Sequence, residues 1–501
     1  MLRSFAHPRL ARPAGLVALF LMVGCGAARE RIEQAQETHA SGNPEAAYQL
    51  LAGEGSLRDE TRDGLLWRLE QGKMAQDSGH FEESWTTLTE ASQLADRFDL
   101  EWATTSVGEE LGSVAVNDRL RVFRGSYADR IALENARVIA ALSRGDALGA
   151  ATAAKRIAER QKDAEVEQAR RIKQVNDEIA KRGGTSSVNQ LLAREGVDLS
   201  TAYAAYLNPL GSWLSGILQC STGDGNDRQR GETELRRALA MVPDNKTLLA
   251  QVERNPYDLA RDGQPQVIVL FENGLAPRLD QETIPLITPW LGLSTIPYPR
   301  QRRIPRPAFA IEASGGGSTV RSETLADYDA IWERDFKQRL PEIILRTVVM
   351  VAAKEAATFA ATEPLRQRRR GGSDGAAIGE IAVLIGASIY KATTNKSDLR
   401  TWRSIPAEVQ IGQLARPADG VLNLSLVSPS GVGFGSTRVD LPQVPVTLVW
   451  ARAAVPGQLL VRAAPLQASY EVPKGAADES QPEPNESAEE TTPKQPSNGD
   501  S

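Results

Sequence analysis

The feature that most constrains this fold is a change of pattern near Arg261. From about Arg29 to Tyr257 the chain reads as helix after helix: Ala, Leu, Glu, Arg and Gln dominate, strand runs are absent, and Gly falls at breaks. Beyond Arg261 the period changes. Gln266-Val-Ile-Val-Leu-Phe271 is a β-branched run stopped by Asn273-Gly274. Pro-rich stretches follow (Ile296-Pro-Tyr-Pro, Ile304-Pro-Arg-Pro), then a strand candidate, Phe309-Ala-Ile-Glu312, and a Gly315-Gly-Gly317 turn. A helix is predicted over about Leu325 to Thr362 and a second apolar one over Ala376 to Lys391. Strands return at Val409 to Leu414, Val421 to Val427, Pro445 to Trp450 and Leu459 to Ala463. The segment Ile343 to Ala361 is apolar enough to raise a transmembrane question, but Arg346, Lys354 and Glu355 inside it point to a core helix with its charges at the rim. The pattern predicts an α+β chain. A helical part, 25–260, precedes a small antiparallel-sheet part, 265–468, whose two apolar helices lie on one face of the sheet. The acidic, Pro-containing end, 471–501, reads as disordered.

The helical part carries repeats. Gly42-Asn-Pro-Glu-Ala-Ala47 and Gly79-His-Phe-Glu-Glu-Ser84 are each a turn followed by a helix start. Around the second, Gly72 stands where two helices would pack closely, Phe81 follows the turn, and Leu88 and Ala91 fall on the inner face of the second helix. Gly145-Asp-Ala-Leu-Gly-Ala150 begins a third unit, continued by Ala154 and Ile157. A fourth closes with Leu235, Ala238 and Pro243. These phrases resemble degenerate tetratricopeptide (TPR) units, and their irregular spacing implies an α-solenoid with non-standard insertions. One such insertion, Ala150 to Arg182, is long and charged, with a narrow stripe of Val166, Ala169, Ile172, Val175 and Ile179. It reads as a solvated helix packed on one side, or as a projecting arm that meets a partner.

The N-terminus predicts the protein's location. Arg3, Arg9 and Arg12 precede the apolar run Leu16 to Val23, which is too short to span a bilayer and has the flank of a secretory signal. It ends in Leu21-Met-Val-Gly-Cys25, the lipobox pattern of bacterial lipoproteins. Residues 1–24 would be removed and Cys25 lipidated, with several acyl chains forming a stable anchor. Gly26, rather than Asp, points to the periplasmic face of the outer membrane. With Cys25 acylated, Cys220 has no partner for an intramolecular disulfide and reads as a small buried hydrophobe.

Little in the chain carries chemistry. The 58 basic and 64 acidic residues nearly balance, which gives no electrostatic case for nucleic acid. Three His residues in all leave no multi-histidine metal site and no cofactor motif, and no G-x-S-x-G, H-E-x-x-H or Walker A sequence occurs. His39 and His80 lie at the TPR-like turns. Asp224-Gly-Asn-Asp227 departs from EF-hand spacing and reads as a turn. Gly315 to Ser318 and Gly371 to Ser373 read as flexible loops, Arg368 to Arg370 as a solvated run or a contact with anionic headgroups or cell wall, and Glu380 as a rim residue. In Asp398-Leu-Arg-Thr-Trp-Arg-Ser-Ile-Pro406, Trp402 should bury against the sheet while Asp398 and the arginines fix the turn.

Val267-Ile-Val-Leu-Phe-Glu-Asn-Gly-Leu-Ala-Pro277 and Asp398 to Gln410 together resemble a family of bacterial TPR-containing outer-membrane lipoproteins of unestablished activity. Members often neighbour lipoprotein activators of penicillin-binding proteins. The resemblance implies envelope assembly, brings no catalytic residue, and does not account for the acidic tail. The function expected is a non-enzymatic periplasmic scaffold for envelope protein partners. The alternatives are a regulator contacting a peptidoglycan enzyme and a component of an export or surface-assembly machine.

Overall fold

The computed structural model describes residues 14–53, 55, 58, 62–104, 121–181, 208–221, 225–288, 292–370 and 396–466. Contacts gather Met1–Ala468 into one unit; Ser469–Ser501 form a second, which includes the acidic tail and lies outside the described residues. The chain is α+β: a helical N-terminal region is followed by mixed and antiparallel sheets and a long helix.

The helical region is built from antiparallel pairs. The first two pairs are α1 (Ala14–Ala40) with α2 (Pro44–Ala52), and α3 (Gly64–Asp77) with α4 (Phe81–Thr104). The next are α5 (Tyr127–Ser143) with α6 (Ala147–Lys181), and α7 (Pro209–Ser221) with α8 (Gly225–Met241). Two short helices, α9 (Lys246–Glu253) and α10 (Pro256–Arg261), lead to the sheet. Local chemistry sets the turns. Gly42, Gly79 and Gly145 adopt positive φ between paired helices, a conformation that costs any residue with a Cβ. Asn43 caps α2 by accepting from Ala46 N, with Pro44 at the first position. Ser126 and Asp129 close a capping box on α5.

The strands form three sheets. β1 (Gln266–Asn273), β6 (Glu323–Asp327), β7 (Glu408–Ala415), β10 (Val446–Ala453) and β11 (Leu460–Pro465) make a five-stranded sheet in the order β11-β10-β1-β7-β6. β4 (Ala310–Gly315), β5 (Ser318–Arg321), β8 (Val421–Val427) and β9 (Gly433–Asp440) make a four-stranded antiparallel sheet in the order β5-β4-β8-β9. β2 (Arg278–Thr288) and β3 (Gly292–Arg302) pair as a separate ribbon. The five-stranded sheet is mixed, which corrects the antiparallel expectation. β1 runs parallel to β10 and antiparallel to β7. A parallel pair needs a long crossover, and everything from β2 to β9 lies between β1 and β10.

Every residue of β1 is buried, because both faces are covered. One face packs on the helices: Ile268, Leu270, Ile411, Leu448 and Trp450 share a hydrophobic core with Trp67, Leu69 and Leu133. The other packs on the four-stranded sheet, with Val267, Val269 and Phe271 against Leu422, Leu424 and Leu426. The change of pattern near Arg261 therefore marks a change of element type, and one core spans it.

The long helix α11 (Tyr328–Arg370) starts three residues after the expected Leu325, since Leu325 to Asp327 close β6, and continues beyond Thr362. Its Phe336, Leu340 and Ile344 pack on Tyr298 and Leu279 of the ribbon, and Leu345 meets Val175 of α6. The charges expected at its rim are inside instead: Arg346, Lys354 and Glu355 are buried. Burial of Lys354 lowers its ammonium pKa to about 8. Among the described residues no helix is long and apolar enough to cross a membrane. The second apolar helix, Ala376 to Lys391, lies outside the described residues. The ribbon occupies a stretch whose prolines argue against strands. Two strands alone leave outer edges unpaired, where a residue lacking an N–H is tolerated.

Candidate functional site

Two polar assemblies lie where the helices meet the sheet. The first is a closed ionic junction. Lys73 and Asp77 are one turn apart on α3 and so share a face. Glu272 of β1 and Arg452 of β10 are paired in register. Lys73 Nζ donates to Asp77 Oδ1 and to Glu272 Oε2, both at 2.7 Å, and to Gln76 Oε1 at 2.8 Å. Arg452 Nε donates to Asp77 Oδ2 at 3.0 Å, and its Nη atoms donate to the carbonyls of Gly274 (2.6 Å) and Ser404 (3.1 Å). His39 Nε2 lies 3.0 Å from the same Asp77 oxygen. Burial alone would raise the Asp77 carboxyl, but Arg452, then Lys73 and His39, outweigh it and hold it well below the usual carboxylate range. These side chains are at most 3% exposed, so no ligand reaches them.

The strip from Ser397 to Pro406 extends this junction along α1 and α3. Glu70 accepts from the backbone nitrogens of Arg403 (2.7 Å) and Ser404 (3.3 Å) and from Gln36 Nε2 (2.6 Å). Gln36 Nε2 also donates to the Thr401 carbonyl at 3.0 Å. Trp402 is fully buried, its Nε1 donating to Ser404 Oγ at 3.0 Å. Arg400 forks onto both Asp398 oxygens and reaches Asp63 Oδ1 at 2.6 Å and the Arg121 carbonyl at 2.9 Å. Burial would lower the Arg400 guanidinium; Asp398 and Asp63 raise it further above its ordinary value. The faces of α1 and α3 that bear Gln36 and Glu70 thus carry the chain's own loop.

The second assembly is an open cleft of about 140 Å³ beside Arg400. It lies among the N-terminus of α5, the middle of α6, the base of the ribbon and the first half of α11. Arg171 of α6 forks onto Glu342 of α11 at 2.8 and 2.9 Å, and Arg346 Nη1 reaches the same carboxylate at 3.1 Å. Asp129, which closes the α5 capping box, also accepts from Trp332 Nε1 at 3.2 Å. Burial outweighs its hydrogen bonds and pushes its carboxyl up to about 6. Phe123, Trp332 and Phe336 supply apolar wall.

The residues singled out from the sequence fall mainly in packing positions. A Cβ on Gly72 would stand 2.6 Å from the Leu88 side chain, and Leu88 and Ala91 are fully buried. Gly79 makes the turn at φ 85°, and Phe81 opens α4 with its ring 5.8 Å edge-on to Trp450. Leu235 and Ala238 are buried in α8, and Pro243 is exposed in the turn after it. Gly315 to Ser318 form the β4–β5 turn, with positive φ at Gly316 and Gly317. His39 joins the ionic junction, whereas His80 pairs with Glu45 at the surface, 2.8 Å away. Cys220 is buried, and burial pushes its thiol up to about 11. Cys25 lies within α1, and Arg368 to Arg370 end α11; these side chains fall outside the description, as do Asp224, Gly371 to Ser373 and Glu380.

Sequence reasoning missed Lys73, Asp77, Glu272, Arg452 and, among the arginines of the cleft, Arg121, Arg124, Arg171 and Arg339. Each taken alone reads as a solvated helix face or a strand rim, and no spacing links positions hundreds of residues apart. The one available signal was Glu272 and Arg452, charges set in otherwise apolar strands. Among the described residues no group of three or more His, Cys, Asp or Glu is placed to hold a metal ion. Comparison with protein-family models, curated proteins and solved structures gives no match.

Proposed function

We propose that this chain is a lipid-anchored, non-enzymatic scaffold of the bacterial envelope. It would be tethered through Cys25 at the periplasmic face of the outer membrane and bind protein partners there. The observation that supports this reading is the set of helix pairs that approach closely at glycines, Gly72 against Leu88 and Gly216 against Gly231 and Leu235. Successive pairs of this kind make a solenoid, an architecture suited to binding rather than to chemistry. Because the helix faces that bear Trp67, Leu69 and Leu133 are taken by the chain's own sheet, partner contact falls to other surfaces. The best suited is the arm made by α6, α11 and the ribbon. At 1.5 Å per residue, the 43 residues of α11 extend roughly 65 Å, which gives an anchored protein reach. Such reach favours contact with a peptidoglycan-building enzyme over a passive spacer.

Two measurements test this. Cys25→Ser should release the chain from membranes, and persistence of the unlipidated variant in the outer-membrane fraction would refute the anchor. Cross-linking of intact envelopes followed by pull-down should recover a penicillin-binding protein. Recovery of secretion or surface-polymer components instead would favour the export-machine reading.

A further inference from the structure

The end of the molecule that begins with Cys25 is also the end from which the arm departs. α1 and α3 run side by side in one direction: Arg29 lies 3.9 Å from Asp63, Gln36 bonds Glu70, and His39 meets Asp77. α5 follows them, since the Phe123 nitrogen donates to the Arg62 carbonyl and Gln76 donates to the Ala136 carbonyl. α11 runs the other way along α5, with Tyr328 bonded to Asn135 and Trp332 to Asp129. It therefore leaves the body where α1 begins. α6 accompanies it through the Arg171–Glu342 pair and the Val175–Leu345 contact. The ribbon points the same way: Arg303 pairs with Glu333, whereas Tyr298, nearer the ribbon's turn, packs on Phe336, Leu340 and Ile344. Only Gly26 and Ala27 lie between Cys25 and the fully buried Ala28. An acyl group on Cys25 thus brings the membrane directly to the arm's point of departure.

Further out, the arm changes character. A surface helix in water turns its polar residues outward. The outer half of α11 does the reverse: Lys354, Glu355, Thr358 and Thr362 are buried, while Ala353, Ala356, Ala357, Ala360 and Ala361 are exposed. The ribbon carries its charges, Asp280, Glu282, Arg300 and Arg302, at its base, and Thr283 to Pro297 contains no charged residue. In that stretch the register sets Ile284 opposite Ile296 and Ile287 opposite Leu293. From Tyr298 to Gly292 the ribbon advances roughly 20 Å, as does α11 from Leu340 to Ala353, so the chargeless strands and the alanine face stand at one level. We propose that this outer part of the arm lies in the headgroup and upper acyl region of the membrane that holds Cys25, its alanine face and chargeless ribbon against lipid. The inference rests on the anchor of the proposed function. Lipid selects polar groups turned inward and apolar ones outward. No helix among the described residues can cross a membrane, so the arm dips into one leaflet. α6 and the first half of α11 stay outside the lipid, open to a protein partner.

The test uses the lipidated full-length protein in vesicles of phosphatidylethanolamine and phosphatidylglycerol, with single cysteines carrying an environment-sensitive nitrobenzoxadiazole dye. Ala357→Cys stands on the alanine face, Ile287→Cys in the ribbon, and Glu83→Cys at an exposed position of α4, at the opposite end of the body. Cys220 is buried and Cys25 acylated, so the dye goes to the new thiol. At the first two positions the emission should shift to shorter wavelength and lose most of its intensity to lipids with a nitroxide on the acyl chain. At the third, neither should change. Metabolic palmitate labelling of each variant reports the anchor separately. Acylated protein that shows no quenching at Ala357→Cys or at Ile287→Cys overturns the proposal and leaves the anchor standing. A blue shift that nitroxide lipids do not quench also overturns it, because the arm would then be covered by protein. A chain that takes up no palmitate removes the anchor, and the proposal with it.

Discussion

At the scale of single residues, the difference between buried and exposed charge decides most of what substitutions should do. Lys73 neutralises two buried carboxylates, so Lys73→Met should leave Asp77 and Glu272 short of a counter-charge and cost about 3–5 kcal/mol, read from the urea midpoint. Arg254 and Asp262 pair where both are more than half exposed, and Arg254→Ala should stay within about 0.5 kcal/mol. Two aspartates give opposite pH dependences. Asp77 is held below the usual range when folded, so its contribution is present at neutral pH and is lost as pH falls below about 4. Asp129 is raised to about 6, so the folded state holds its proton more tightly than the unfolded chain does. That contribution is full below about 4 and is lost as pH rises through 6, a decline of up to about 3 kcal/mol. Urea denaturation at pH 4.5 and 7 should show this decline in the native sequence and a flatter profile in Asp129→Asn. At this scale the sequence was readable where neighbours settle a residue's fate. Trp402 and the Asp398–Arg400 turn are as the local phrase suggests. The buried charges of α11 were not readable, because what covers them comes from elsewhere in the chain.

For single elements, close helix approach makes the firmest prediction. Gly72→Ala places a methyl 2.6 Å from Cγ of Leu88, close to the helix backbone, and should cost roughly 1–3 kcal/mol. Gly79→Ala meets nothing within 4 Å and should cost about 1 kcal/mol, through its positive φ alone. Melting temperatures of the two variants should therefore rank Gly72→Ala below Gly79→Ala. Helix pairs were legible because glycine turns and caps are local signals that repeat. The strands β1, β7, β8, β10 and β11 were legible as apolar runs. The ribbon was not, because its prolines carry meaning only once it is known that no third strand pairs there among the described residues. β9 was not legible either: its Gly433-Phe-Gly-Ser436 start lacks the β-branched alternation that marks a strand.

For the whole molecule, the helices and the sheet complete one another. A fragment beginning at Pro265 would expose Ile268, Leu270, Leu448 and Trp450, and would leave Glu272 and Arg452 without Lys73 and Asp77. Although the change of pattern near Arg261 suggests two separable pieces, chains cut near Asp262 should not melt cooperatively alone and should co-elute on gel filtration when produced together. Their circular dichroism, separate and mixed, checks this directly. The order of the strands has a consequence for how the protein comes into being. β1 finds its parallel neighbour about 180 residues further along, where Gln266 faces Val446. A chain made from its N-terminus therefore holds a fully buried strand open until nearly the last residues of the core have emerged. Contacts this distant form slowly, and the waiting species is prone to aggregate. Any truncation before Val446 turns that wait into a permanent state. The yield of the protein in a cell should accordingly depend on chaperones that hold the unfinished chain more than on the stability of the finished one.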